Sequence, residues 1–159
     1  MKLFKIGIIV SITVIILIVL FFVLKDDEMS KVCINKACFV VEVVDTPEGR
    51  ERGLMFRENL DKNKGMFFVF DEEQARSMWM LNMQFPLDLI WFDKAGNVVH
   101  IEKNAQPCKS ALETAACTFQ NAEGKKAQYV LEVTAGFIEK FGITENSKLK
   151  KCVPKLLVV

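Results

Sequence analysis

The sequence predicts a mainly β protein: a compact antiparallel β-sandwich or barrel-like domain with two short helices, preceded by one N-terminal transmembrane helix. Three observations carry this. Seven or eight short apolar or alternating runs follow one another between residues 32 and 153, separated by turn-forming clusters, as in antiparallel all-β domains. One long apolar stretch, Ile6 to Leu24, comes before them. Five cysteines lie after that stretch, which in an exported domain reads as disulfide bonding before catalysis or zinc.

The apolar stretch spans 19 residues and is broken only by Gly7, Ser11 and Thr13. At about 1.5 Å per residue it makes roughly 28 Å of helix, close to the thickness of the bilayer core. A cleaved signal peptide is the competing reading. Lys25-Asp26-Asp27-Glu28 offers no small-residue cleavage site, and Cys33 follows Val32 rather than a small residue, so an uncleaved anchor is expected. Lys2 and Lys5 precede the stretch and three acids follow it, which puts the N-terminus in the cytoplasm and the domain outside. The expected organisation is an anchor over 1–24, a stalk over 25–31, an exported β domain over 32–153 and an apolar tail over 154–159. Without Lys2 and Lys5, 19 of the 21 basic residues remain against 20 acids. So balanced a domain is not expected to bind nucleic acid. The partners expected are the membrane, through residues 6–24, and an envelope protein or glycan.

Taken in order, the domain opens with Val32-Cys33-Ile34-Asn35-Lys36-Ala37-Cys38-Phe39. A two-residue turn at Asn35-Lys36 sets Cys33 opposite Cys38 at a non-hydrogen-bonded position, within disulfide reach. Phe39 to Val44 continues the second arm. Thr46 can cap a short helix that Pro47 begins and Gly53 ends. Met66 to Phe70 reads as a strand, Asp71 to Gln74 as an exposed turn, and Ser77 to Leu81 and Leu87 to Phe92 as two further strands. Asp93-Lys94-Ala95-Gly96-Asn97 is a turn before the strand Val98 to Glu102. From Lys103 to Lys126 periodicity disappears, and a loop of that length calls for a staple, for which Cys108 and Cys117 are suited. Pairing of Cys33 with Cys38 and Cys108 with Cys117 is a preference among several arrangements, and it leaves Cys152 over. Gln128 to Val133 is a strand, Thr134 to Phe141 a short helix stopped by Gly142, and Lys148 to Val153 the last strand.

The candidate functional residues cluster between Arg57 and Trp91. Asp88 stands inside the apolar run Leu87-Asp88-Leu89-Ile90-Trp91-Phe92, which reads as a strand buried on both faces. A buried carboxylate needs a partner, and Arg57, Arg76 or backbone amides could supply one. Asp88 is read first as a structural anchor and second as a catalytic acid. Arg57 is read as a clamp on backbone carbonyls before a ligand anchor. Trp79 and Trp91 are read as core before sugar platforms, and Asn82 as closing a turn or orienting a ligand. Met78, Met80 and Met83 invite a Cu(I) reading, because thioethers select soft metals. Methionine is also ordinary core filler, and Met83 falls on the opposite strand face from the other two. No zinc site is expected, since His100, placed at an exposed strand position, is the only histidine and no C-x-x-C occurs. Ser77 and Ser110 lack an elbow motif, and no paired carboxylates appear at a glycosidase spacing. No cofactor is implied.

Several stretches together resemble a known family. They are Val43-Val44-Asp45-Thr46-Pro47 with Glu51-Arg52-Gly53-Leu54-Met55-Phe56-Arg57, then Gly65 to Phe70, Trp79-Met80-Leu81-Asn82, Pro86-Leu87-Asp88-Leu89, Asp93 to Val98, and Tyr129-Val130-Leu131-Glu132-Val133 with Ala135-Gly136. In order and spacing they are similar to domain of unknown function 192, also called uncharacterised protein family 0127, from about Val40 to Lys150. The resemblance implies a compact β-sandwich-like domain, often behind a signal or membrane segment, with no established activity. Met78, Met83 and Asn146 stand where that family usually carries an aromatic, a threonine and a glycine. The function expected is a membrane-anchored extracytoplasmic binding or assembly module. The alternative is an envelope hydrolase acting on glycan or peptide, with Asp88 and Arg57 in its site.

Overall fold

The computed structural model describes residue 14 and residues 30–108, 117–120 and 125–152. The expected anchor over Ile6 to Leu24 lies outside the described residues except for Val14, and so do Ser110 and the tail over 154–159. Among the described residues no helix is long and apolar enough to cross a membrane.

The described chain is built from β1 (Ser30–Ile34), β2 (Ala37–Val44), α1 (Pro47–Arg52), β3 (Lys64–Gln74), β4 (Ser77–Trp79), β5 (Leu87–Phe92), β6 (Val98–Ala105), β7 (Thr118–Gln120), β8 (Ala127–Thr134), α2 (Phe137–Lys140) and β9 (Leu149–Cys152). Seven strands form one curled, half-barrel sheet in the order β6-β5-β8-β3-β2-β1-β9, and β4 and β7 form a separate ribbon. The mainly β class and the two short helices agree with expectation. A wholly antiparallel sheet does not: β2 and β3 run parallel, from Val40 opposite Lys64 to Val44 opposite Phe68. Their connection passes through α1, and a helical crossover returns the chain in the same direction, which a tight hairpin cannot do.

The sheet is covered on both faces. One core gathers Val41, Phe67, Ile90 and Leu131 under Phe137 and Ile138 of α2. The other sets Met66, Phe68, Leu89 and Trp91 against Leu54, Met78, Met80, Met83 and the Cys108–Cys117 bridge. Alternate residues of a central strand point into different cores, so all six residues of β5 are buried.

Local chemistry sets the element ends. The β1–β2 hairpin turns at Asn35, in left-handed backbone at φ 55°, and brings Cys33 opposite Cys38 with a Cα separation of 4.0 Å and a disulfide between them. The Thr46 hydroxyl accepts from Gly49 N at 3.1 Å, Pro47 opens α1, and Gly53 leaves it at φ 47°. Five expected boundaries are corrected. Asp71 to Gln74 continue β3 past an irregularity after Val69 rather than turning, because Gln74 still pairs with Ala127. β4 stops at Trp79, since its partner β7 has only three residues. β6 runs to Ala105, and β7 lies inside the stretch expected to be a loop. The helix expected from Thr134 to Phe141 shrinks to Phe137–Lys140, because β8 extends through Thr134 and Gly136 takes left-handed backbone at φ 86°.

Candidate functional site

Strand register puts Glu42, Met66, Glu132, Leu89 and Glu102 in one row across β2, β3, β8, β5 and β6. Residues in register share a face, and this face carries the core beneath α1 and the β4–β7 ribbon. Glu132, in the middle of the row, is 4% exposed. Burial pushes its carboxyl up to about 8, so near neutral pH it holds its proton. It has no hydrogen-bond or ion-pair partner among the described residues.

Glu132 lines a cavity of about 320 Å³, at the small end of the roughly 300–1,000 Å³ range of small-molecule sites. Phe68, Phe70, Met78, Trp79 and Met83 supply apolar wall, and Arg50, Glu51 and Arg52 of α1 also border it. Arg50 is tied into the frame. Its Nη1 donates to the carbonyls of Asp45 at 2.7 Å and Val69 at 2.8 Å, while Nη2 stands 3.7 Å from Asp71. The turn after α1 separates this cavity from a second one of about 450 Å³, lined by Glu42, Met66, Phe56 and Arg57. There Arg57 grips Glu42 with two hydrogen bonds of 2.6 Å, which hold the Glu42 carboxyl below its ordinary range despite partial burial. Phe56 is 67% exposed at φ 63°, a backbone region that bulky side chains seldom occupy, and its N–H donates to Asn82 O at 3.0 Å.

The predicted site residues separate into distinct roles. Asp88 is 1% exposed and meets neither arginine. Its Oδ1 accepts from Asn104 N and its Oδ2 from Ile138 N, both at 2.9 Å. A cavity of about 360 Å³ is lined by Asp88 with Lys103, Asn104, Gly136 and Glu139, but both Asp88 carboxylate oxygens already accept from backbone amides. Arg57 clamps a carboxylate, that of Glu42. Arg76 lies over the Phe70 ring, 4.1 Å from its centroid, and donates to Glu72 O. Trp91 is fully buried and donates from Nε1 to Arg76 O at 3.1 Å, in agreement with its core reading. Trp79 departs from that reading: it is 38% exposed beside the cavity. The reason is the strand period, which turns its neighbours Met78 and Met80 inward. Asn82 closes a turn at φ 58°. Met78, Met80 and Met83 all pack into the same core, although strand alternation was expected to divide them. Met83 lies beyond the end of β4, so alternation no longer governs it. His100 is partly buried with its ring 5.0 Å from that of Trp91, and burial pulls its pKa down. Among the described residues no three His, Cys, Asp or Glu side chains gather as metal ligands.

Glu132 was not singled out in advance. The signal was present, since an acid inside Val130-Leu131-Glu132-Val133 repeats the feature that drew attention to Asp88.

Residues 30–151 match the model of domain of unknown function 192, described as uncharacterized ACR. The chain belongs to this family. Similar solved structures include two from bacteria. One is a candidate transcription regulator of Sinorhizobium meliloti 1021, 28% identical with a TM-score of 0.68, covering 77% of this chain and 92% of that one. The other is a protein of unknown function from Novosphingobium aromaticivorans DSM 12444, 27% identical with a TM-score of 0.65, covering 76% and 83%. No curated protein matches.

Proposed function

We propose that this member of the family is a membrane-anchored, extracytoplasmic binding module of the cell envelope. Its ligand is a small, largely apolar molecule held in the cavity walled by Trp79 and Glu132. One observation carries the reading: a buried acid with no partner among the described residues borders an aromatic- and thioether-lined cavity, the composition of a ligand site with few polar contacts. The envelope hydrolase with Asp88 and Arg57 is less well supported. The Asp88 oxygens are bound to backbone amides, and Arg57 is bound to Glu42. The Cu(I) reading of Met78, Met80 and Met83 likewise yields to their packing among core side chains.

The anchor over residues 6–24 and the two disulfides, Cys33–Cys38 and Cys108–Cys117, support an extracytoplasmic address. Intact cells exposed to a membrane-impermeant lysine reagent should become labelled on this domain. Protection until the cells are broken would reverse the orientation. Ligand binding has its own expected result. A small aromatic alcohol such as phenethyl alcohol, titrated into the full-length protein in detergent, should shift tryptophan emission, and Trp79→Ala should weaken binding several-fold. Emission that stays constant through saturating additions would remove the cavity as a ligand site.

A further inference from the structure

We infer that the cavity takes a ligand carrying a protonated amine, whose ammonium docks against the Glu132 carboxylate between the walls of Phe68, Phe70 and Trp79. The inference rests on the binding role proposed above and names the chemistry of its ligand. Glu132 is buried, borders the cavity, and has no partner among the described residues. A buried acid in that condition lacks either a donor or a counter-charge, and an entering ammonium supplies both. The remaining wall favours a cation too. Aromatic faces attract ammonium groups through their negative quadrupoles, and the thioethers of Met78 and Met83 are polarizable.

The protein's own charges leave room for one more cation. On α1, Glu51 and Arg52 both border the cavity with opposite charges, and Arg50 stands against Asp71. On β3, Lys64 is paired with Asp61 at 2.8 Å. On β2, Glu42 is taken by Arg57. On β5, Leu89 faces Glu132 with Glu102 of β6 beyond it. Arg76, next to β4, stacks on Phe70. None of these cations lies close enough to offset the burial of Glu132, whose raised pKa follows from desolvation alone.

Proton balance gives the signature. Near neutral pH Glu132 carries a proton. When an ammonium docks, that proton leaves for solvent and the carboxylate–ammonium pair forms, so one proton is released per ligand bound.

The test is calorimetric titration of the full-length protein in detergent with phenethylamine and, separately, phenethyl alcohol at pH 6, 7 and 8. Repeating it in two buffers of different ionisation enthalpy counts the protons. Phenethylamine should bind with release of close to one proton at pH 6 and 7, and with affinity rising about tenfold between them, because the acid must ionise first. Glu132→Gln should lower amine affinity at least tenfold and leave the alcohol within a few-fold. If the alcohol binds as well as the amine, with affinity falling as pH rises toward 8, Glu132 donates to neutral acceptors; the amine assignment is then overturned while the ligand site stands. If neither probe binds, both fall.

Discussion

Between pH 5 and pH 8 the domain is expected to lose about 3–4 kcal/mol of stability through Glu132, at roughly 1.4 kcal/mol per pKa unit. Glu132→Gln should be spared that loss. The folded-state carboxyl titrates at about 8 against an ordinary value of 4.5. In the unfolded chain the acid ionises above pH 4.5, while the folded protein still retains its proton. The unfolded state therefore binds fewer protons throughout this window, and stability falls as pH rises until the folded carboxyl ionises as well. Stabilities of about 5–15 kcal/mol are usual, so the loss is a large share. Two other groups have the opposite sign. Burial lowers the pKa of His100, whose contribution is present above its ordinary 6.5 and lost as pH falls. The Arg57 pair lowers that of Glu42, whose contribution is lost on further acidification. The informative quantity is therefore the difference between parent and Gln variant, measured by denaturant unfolding of full-length protein at each pH. Parallel profiles would mean that Glu132 ionises freely in the fold, and the cavity would then be wetter than its lining suggests.

Much of the fold was legible because it rests on local rules. The β1–β2 hairpin follows from a two-residue turn between cysteines, α1 from Thr46, Pro47 and Gly53, and the doubly buried β5 from an apolar run without alternation. The parallel β2–β3 pair was not legible, since strand direction depends on where the connection crosses the sheet. Met83 was misplaced because β4 ends after three residues and the strand period stops with it, and Trp79 because that same period turns it outward while Met78 points into the core. The site was half legible. An acid in an apolar run announces a buried carboxyl, and the sequence contains two such acids, in separate runs on neighbouring strands. Asp88 and Glu132 belong to opposite sheet faces: Asp88 pairs with Val133 beside the α2 core, while Glu132 pairs with Leu89 beneath the ribbon. Which of them meets backbone donors and which meets a cavity depends on the elements laid over each face, and pattern along one strand carries no information about that.

Asp88→Asn is expected to cost about 3 kcal/mol, by loss of one charge-assisted hydrogen bond and exposure of a buried N–H to an amide donor. Asp88 holds two segments at once. Its Oδ1 fixes Asn104, which sits at φ 54°, and its Oδ2 accepts from Ile138 N in the first turn of α2. Gly136 gives that helix no side-chain cap, so the carboxylate caps it from the neighbouring strand and also meets the positive end of the helix. Asparagine keeps the size and one acceptor but turns an NH₂ toward one of the two donors. A loss of this size should lower the melting temperature of the full-length protein by on the order of ten degrees. An Asp88–arginine pair, one of the alternatives the sequence leaves open beside backbone amides, makes a different prediction for the double variant. If Arg57 were the partner, removing it together with Asp88 would cost little more than removing either alone. The observed geometry assigns Arg57 to Glu42, so Asp88→Asn and Arg57→Gln should add within about 0.5 kcal/mol. A coupling well above that would reconnect the two residues and return Asp88 to consideration as part of a charged site.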